Sequence, residues 1–94
     1  MKRPEILDTA KAVVTGEREQ QYGSPEDNFT TIANLWMDYL IGAGSPVELS
    51  PHDVAIMMAL LKVARIASGR THDDNYVDAC GYFACAAELA EGEG

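Results

Sequence analysis

The segment from Val54 to Ser68 constrains the fold more than any other part of this 94-residue chain. It is typical of a helix, and large apolar side chains lie on nearly every side of it: Val54, Ile56, Met57, Met58, Leu60, Leu61, Val63 and Ile66. A helix without a polar face has to be covered, and a domain of this length holds only a thin core. The sequence therefore predicts that this helix is buried in the domain or at an interface between identical subunits.

Three further segments have the apolar periodicity of amphipathic helices, so the sequence predicts an all-α fold. The motifs Ser24-Pro25 and Ser50-Pro51 are typical helix starts, because the serine caps free N–H groups and proline fits the first turn. Apolar residues recur at helical spacing in four segments, near 4–15, 25–41, 51–68 and 73–91. We expect one domain with a four-helix antiparallel bundle-like fold, completed by oligomerisation into a dimer or tetramer.

Composition excludes several classes of function. The net charge of −8 argues against a protein that binds duplex nucleic acid, since phosphate contacts need a basic face. No apolar run is long enough to span a bilayer, and the N-terminus lacks the apolar core of a signal peptide. We therefore expect a cytoplasmic protein that is not associated with a membrane.

Cys80 and Cys85 are five residues apart, on different faces of one predicted helix, which makes a disulfide or a shared zinc ion a poor fit. We interpret both as small buried residues in a reducing compartment.

The last predicted helix combines an acidic start with an apolar body. Asp73 and Asp74 lie in its first turn, where carboxylates cap N–H groups and meet the positive end of the helix dipole. Asp78 is four residues after Asp74 and shares a face with it, and Asn75 lies on nearly the same face. This pattern predicts a core helix that presents ligands at one end. The alternative is that the acids only cap a solvated first turn.

Lys62 and Arg65 are the only charged residues in the body of the apolar helix, and they lie three residues apart on one face. A short connection follows, which makes the last two helices antiparallel neighbours. On this geometry we expect Arg65, with Arg70, to lie near Asp74 and Asp78. The basic pair then meets these acids or a phosphate. Alternatively, both side chains extend along the apolar surface to water.

The segment 16–24 is polar and contains two glycines, which indicates a loop. Arg18 is a candidate fork for a phosphate, and Tyr22 is a candidate for stacking on a ligand. The alternative is a solvated linker in which Tyr22 covers the edge of the core.

Three strings carry a resemblance over nearly the whole chain: GEREQQYGSPEDNFTTIANLW, SPHDVAIMMALLKVARI and DDNYVDACGYFACAAEL. They resemble a family of small phage and prophage proteins of unknown function. More distantly, the chain is similar to all-α nucleotide pyrophosphatases of the MazG-like kind and to phage nucleotide-modification-associated domains. The resemblance implies an oligomeric helical bundle, usually an obligate dimer or tetramer. It also implies a Mg²⁺-bound nucleoside triphosphate between the helices and hydrolysis that releases pyrophosphate.

The chain departs from the pyrophosphatase pattern at its acidic pairs. That pattern has Glu-x-x-Glu on one helix and Glu-x-x-Asp on the next. Here the later pair matches only as Asn75-x-x-Asp78, or as Asp74 with Asp78, and the earlier helix carries Lys62 and Arg65 instead. The missing acidic pair weakens the prediction of catalysis more than the prediction of nucleotide binding.

Three hypotheses follow for the function. The first is a Mg²⁺-dependent nucleoside triphosphate pyrophosphohydrolase in which Asp74 and Asp78 are catalytic and hold the metal. Its substrate-binding residues would be Arg18, Tyr22, Lys62, Arg65, Asn75 and Tyr82. The second is a non-catalytic oligomeric protein that sequesters a nucleotide or a nucleotide-derived signal. The third is a structural or host-interaction module in which the charged residues form only a buried ion-pair network.

Overall fold

The computed structural model describes residues 1–16, 25–69 and 72–93, with side chains from residue 28 in the second segment and up to residue 92 in the third. These residues form helices and connections without a strand. The helices are α1 (Arg3–Thr15), α2 (Pro25–Gly42), α3 (Pro51–Ala67) and α4 (Asp73–Glu93). The all-α prediction is confirmed.

The start of α3 follows directly from its local sequence. The hydroxyl of Ser50 accepts a hydrogen bond from the backbone N–H of Asp53 at 3.2 Å, and the backbone N–H of Ser50 donates to the Asp53 carboxylate at 3.0 Å. Pro51 occupies the first helical turn. This reciprocal capping box satisfies N–H groups that have no acceptor inside the helix.

The end of α2 depends on a glycine with positive φ. Gly44 has φ of +82°, a conformation that L side chains rarely adopt. Its N–H donates to the carbonyl of Ile41 at 3.1 Å, and the N–H of Ser45 donates to the carbonyl of Leu40 at 2.9 Å. These two bonds form a Schellman motif, which turns the chain out of the helix.

α4 ends at Glu93, two residues beyond the range near 73–91 that the sequence predicts. One expectation needs correction. Cys80 and Cys85 are half-buried rather than buried, because α4 receives α1 and α3 on parts of its surface and leaves the intervening parts accessible. Cys80 and Cys85 do not form a disulfide.

The α3–α4 pair is the centre of the fold. These two helices make the most extensive interhelical contact, α1 packs on α4, and α2 packs on α3. The main core cluster joins buried residues of three helices: Phe29, Ala33, Val54, Ala55 and Ala86. Most of them are small, which lets the helix backbones approach closely.

The side of α3 that faces away from this core is apolar and exposed. Met57 is 41 % exposed, Leu60 56 %, Leu61 48 % and Val63 47 %. The sequence predicts cover for this helix, and the other described parts of the chain supply it on one side only.

Candidate functional site

The charged residues of α3 and α4 meet in a direct ion pair between the two helices. The Nζ atom of Lys62 lies 2.9 Å from Oδ2 of Asp78. The two side chains are 17 % and 24 % exposed, so the pair is largely withdrawn from water but can still be reached from it. The prediction that the basic residues of this helix meet the acids of the last helix is confirmed for these two residues.

The pair also fixes how the two helices are aligned. Lys62 lies five residues before the end of α3, and Asp78 lies five residues after the start of α4. Equal distances from the connection are what an antiparallel hairpin requires. Arg65 and Asp74 therefore lie about one turn closer to the connection, on α3 and α4 respectively.

These four residues, which we call the α3–α4 site, place two cations on one helix and two carboxylates on the next. Arg65 and Asp74 are both exposed. Within the described parts of the chain neither of them forms a salt bridge, so the expected contact of Arg65 with the acids of α4 is not made there. Lys62 makes the contact with the acids of α4, because its side chain is directed toward that helix. Arg65 lies at the edge of the exposed face of α3.

Asn75 and Tyr82 lie on the same helix as the two acids, but both take part in packing. Asn75 is 5 % exposed. Tyr82 is half-buried, and its ring lies 6.2 Å from that of Phe29, tilted by 53°. This is a favourable aromatic geometry that ties α4 to α2. As substrate-binding residues they stay predictions, and Tyr82 also has a clear structural role.

Arg18 and Tyr22, the two candidates from the segment 16–24, lie outside the described residues, as does Arg70. Asp73, interpreted from the sequence as a cap, lies in the first turn of α4, and its Oδ2 is 3.1 Å from the amino nitrogen of Met1. Sequence reasoning missed this contact because the two residues are 72 positions apart.

The donor set limits what the site can hold. In the described ranges there is no group of three or more His, Cys, Asp or Glu residues placed to bind a metal ion. Asp74 and Asp78 are the two candidate donors, and Asp78 is already engaged by Lys62. The α3–α4 site therefore contains two positive and two negative side chains, of which one pair is in contact, and it is not a cluster of carboxylates.

Comparison with known proteins connects this chain to phage proteins. The model of a domain of unknown function, DUF6378, matches residues 5–90. The chain belongs to the DUF6378 family. The resemblance to a family of unknown function is thereby confirmed, and the more distant similarity to nucleotide pyrophosphatases stays a prediction.

Two curated relatives of this DUF6378 protein are phage proteins. The chain is 46 % identical to the Gene 55 protein of Mycobacterium phage L5 over 77 residues, which cover 82 % of this chain and 47 % of the relative. It is 38 % identical to the Gene 55 protein of Mycobacterium phage D29 over 86 residues, which cover 92 % of this chain and 54 % of the relative. The chain thus spans about half the length of both relatives. No solved structure matches it.

Among the helices described for this DUF6378 protein, none combines the length and apolar character needed to cross a bilayer.

Proposed function

We propose that this DUF6378 protein handles nucleotides by binding their phosphates at the α3–α4 site. The observation that carries the proposal is the half-buried ion pair between Lys62 and Asp78, with the exposed guanidinium of Arg65 one turn away. A chain with a net charge of −8 repels phosphates over most of its surface and needs local cations to bind them. Lys62 and Arg65 supply two such cations on one helix.

The donor capacity of Lys62 supports this role. An ammonium group has three N–H donors, and Asp78 is the acid that Lys62 contacts within the described chain. A phosphate that approaches the exposed Arg65 from solvent can accept a forked pair of bonds from its guanidinium and a further bond from Lys62, which is still 17 % exposed. Asp78 keeps the lysine side chain in place before the ligand arrives, which lowers the entropy lost on binding.

The residues fit a resident Mg²⁺ ion poorly. Mg²⁺ accepts one or two carboxylates together with phosphates and waters, and Asp74 and Asp78 are correctly spaced on one helix. However, an ion bound at Asp78 would have to displace the ammonium that lies 2.9 Å from Oδ2. The geometry therefore favours binding over hydrolysis. A Mg²⁺-dependent pyrophosphohydrolase is the second candidate, supported by the two acids on one face and by the resemblance stated above.

The experiment is a thermal-shift screen of nucleotides and cyclic nucleotides, each with and without Mg²⁺. A ligand at about 100 times its dissociation constant stabilises the fold by about 2.7 kcal/mol, which is several degrees for a domain of this size. A shift without Mg²⁺ supports the binding proposal. A shift that needs Mg²⁺ together with release of pyrophosphate favours the second candidate.

The specificity of the site is tested with a variant that removes both charges. In Lys62→Met/Asp78→Leu the ion pair is replaced by apolar groups of similar size, a change that often leaves stability nearly unchanged. We expect this variant to fold and to lose the nucleotide shift, whereas Lys11→Met, at an exposed position on α1, keeps it. A full shift in the folded double variant overturns the proposal. If no nucleotide shifts the wild-type protein, the ion pair is only structural, as in a host-interaction module.

A further inference from the structure

The outer face of α3 is a continuous apolar surface on the side opposite the core. Its exposed members are Met57, Leu60, Leu61, Val63, Ala64 and Ala67. They follow one another at intervals of one, two or three residues, and at 100° per residue they cover about half of the helix circumference without a charged residue on that surface. Monomeric proteins rarely expose a contiguous apolar patch of more than a few hundred square ångströms.

The exposed fractions of the large side chains show that this face lacks cover. Between 41 % and 56 % of the surface of Met57, Leu60, Leu61 and Val63 is accessible, although all four lie on one helix of the core. Transfer of such side chains out of water is favourable by about 25 cal/mol per Å² of apolar surface. A partner that covers this face therefore gains free energy from all four residues.

We infer that the outer face of α3 is the contact surface between two copies of this chain, related by a two-fold axis. A two-fold contact covers the same surface on both copies at once, so a single apolar face is sufficient to close the assembly. Leu60 and Leu61 lie near the middle of the 17-residue helix, where the axis would pass. The core-facing side of α3, with Lys62, stays directed toward α4.

The charges at the ends of α3 agree with an antiparallel crossing. The first turn of α3 is acidic through Asp53, and the last turn is basic through Arg65. When two copies of α3 cross in opposite directions, the acidic end of one lies beside the basic end of the other, and the helix dipoles also oppose favourably. The middle of the contact remains free of charge, which is typical of an interface core.

The test is the mass of the protein in solution, measured by light scattering after size-exclusion chromatography and by sedimentation equilibrium. We expect wild-type protein at about 0.1 mM to have twice the monomer mass of 10.2 kDa. Leu60→Glu introduces a charge at the centre of the face and should yield monomers with unchanged helical content. Leu7→Glu is the matched control, since Leu7 is similarly exposed (61 %) but lies on α1.

Two further measurements test the dimer without relying on the Leu60→Glu variant: a substitution at Ala64 and the dependence of dimerisation on salt. Ala64→Glu removes no packing, because Ala64 is small and exposed, and it should also dissociate the dimer. Because each copy carries a net charge of −8, added salt should strengthen an association that depends on apolar contact. Monomeric wild-type protein overturns the inference and leaves the face to another partner, such as the remainder of a longer protein. A dimer that persists in both folded glutamate variants also overturns it.

Discussion

Gly81 and Val14 are in such close contact that a Cβ atom on Gly81 would lie 3.0 Å from Cγ1 of Val14. That distance is tighter than ordinary van der Waals contact, so the absence of a side chain at position 81 lets α1 approach α4. Glycine in the middle of a helix normally lowers its stability. Here the loss is offset by the packing of a second helix.

Gly81→Ala should therefore destabilise the fold by about 1 kcal/mol, even though alanine is the better helix former. Crowding in a packed interface costs about 1–3 kcal/mol, against a gain of about 1 kcal/mol in helix propensity. The measurement is urea unfolding followed by circular dichroism. Gly42→Ala is the control, since nothing lies within 4 Å of a Cβ there, and it should be neutral or slightly stabilising. If Val14→Ala does not relieve the cost of Gly81→Ala, the contact is not its cause.

The Lys62–Asp78 pair should show strong coupling in a double-mutant cycle. Lys62→Met leaves a partly buried carboxylate without its partner, and we expect a loss of about 1–3 kcal/mol in the free energy of unfolding. Asp78→Leu should cost a similar amount, and the double variant less than the sum of the two. Chemical denaturation of all four proteins measures the coupling energy. Additive single effects would mean that the two charges are satisfied separately by water.

The capping box at the start of α3 should make stability depend on acid. The hydrogen bond from the backbone N–H of Ser50 lowers the pKa of Asp53 most strongly; partial burial opposes it, and the Ser50 hydroxyl and nearby His52 lower it further. Because the pKa in the folded state lies below its value in the unfolded chain, this stabilisation is present above about pH 4 and is lost as pH falls through the folded pKa.

Asp53→Asn provides the measurement for that prediction. The variant should be less stable than wild type at pH 7, and the difference should shrink when unfolding is measured at progressively lower pH. Asp38→Asn, at an exposed position on α2, should show a smaller pH-dependent difference. A constant gap between Asp53→Asn and wild type down to pH 2 would contradict the assignment.

Competition between Lys62 and metal ions at Asp78 gives a further prediction. Mg²⁺ alone should not change the melting temperature of the wild-type protein, because the ammonium of Lys62 occupies the carboxylate. Lys62→Gln frees Asp78, with Asp74 one turn away, and should give a measurable rise with millimolar Mg²⁺ in differential scanning fluorimetry. Lys11→Gln is the control for loss of a positive charge. Equal stabilisation of wild type and Lys62→Gln would show that Lys62 does not block the metal, and would favour the hydrolase.

The local sequence predicted the helices well because their signals act over short distances. The Ser50-Pro51 start of α3 and its capping box depend on residues three positions apart, so they can be recognised without a fold. The helix spacing and the short connection after α3 likewise predicted that α3 and α4 are neighbours. α4 ends at Glu93, two residues after the predicted position near 91, because helix ends are specified only to within one or two residues by local signals.

The sequence by itself determined that this is an all-α chain whose apolar α3 needs cover. It also placed the charged residues of the α3–α4 site on α3 and at the start of α4. Only the tertiary structure decided that Lys62, not Arg65, pairs with Asp78, and that the uncovered side of α3 is the one opposite α2 and α4. Periodicity places residues on a face of a helix, but the partner of that face depends on how separate helices pack. That choice is made by contacts between residues far apart in the chain, such as Val14 and Gly81.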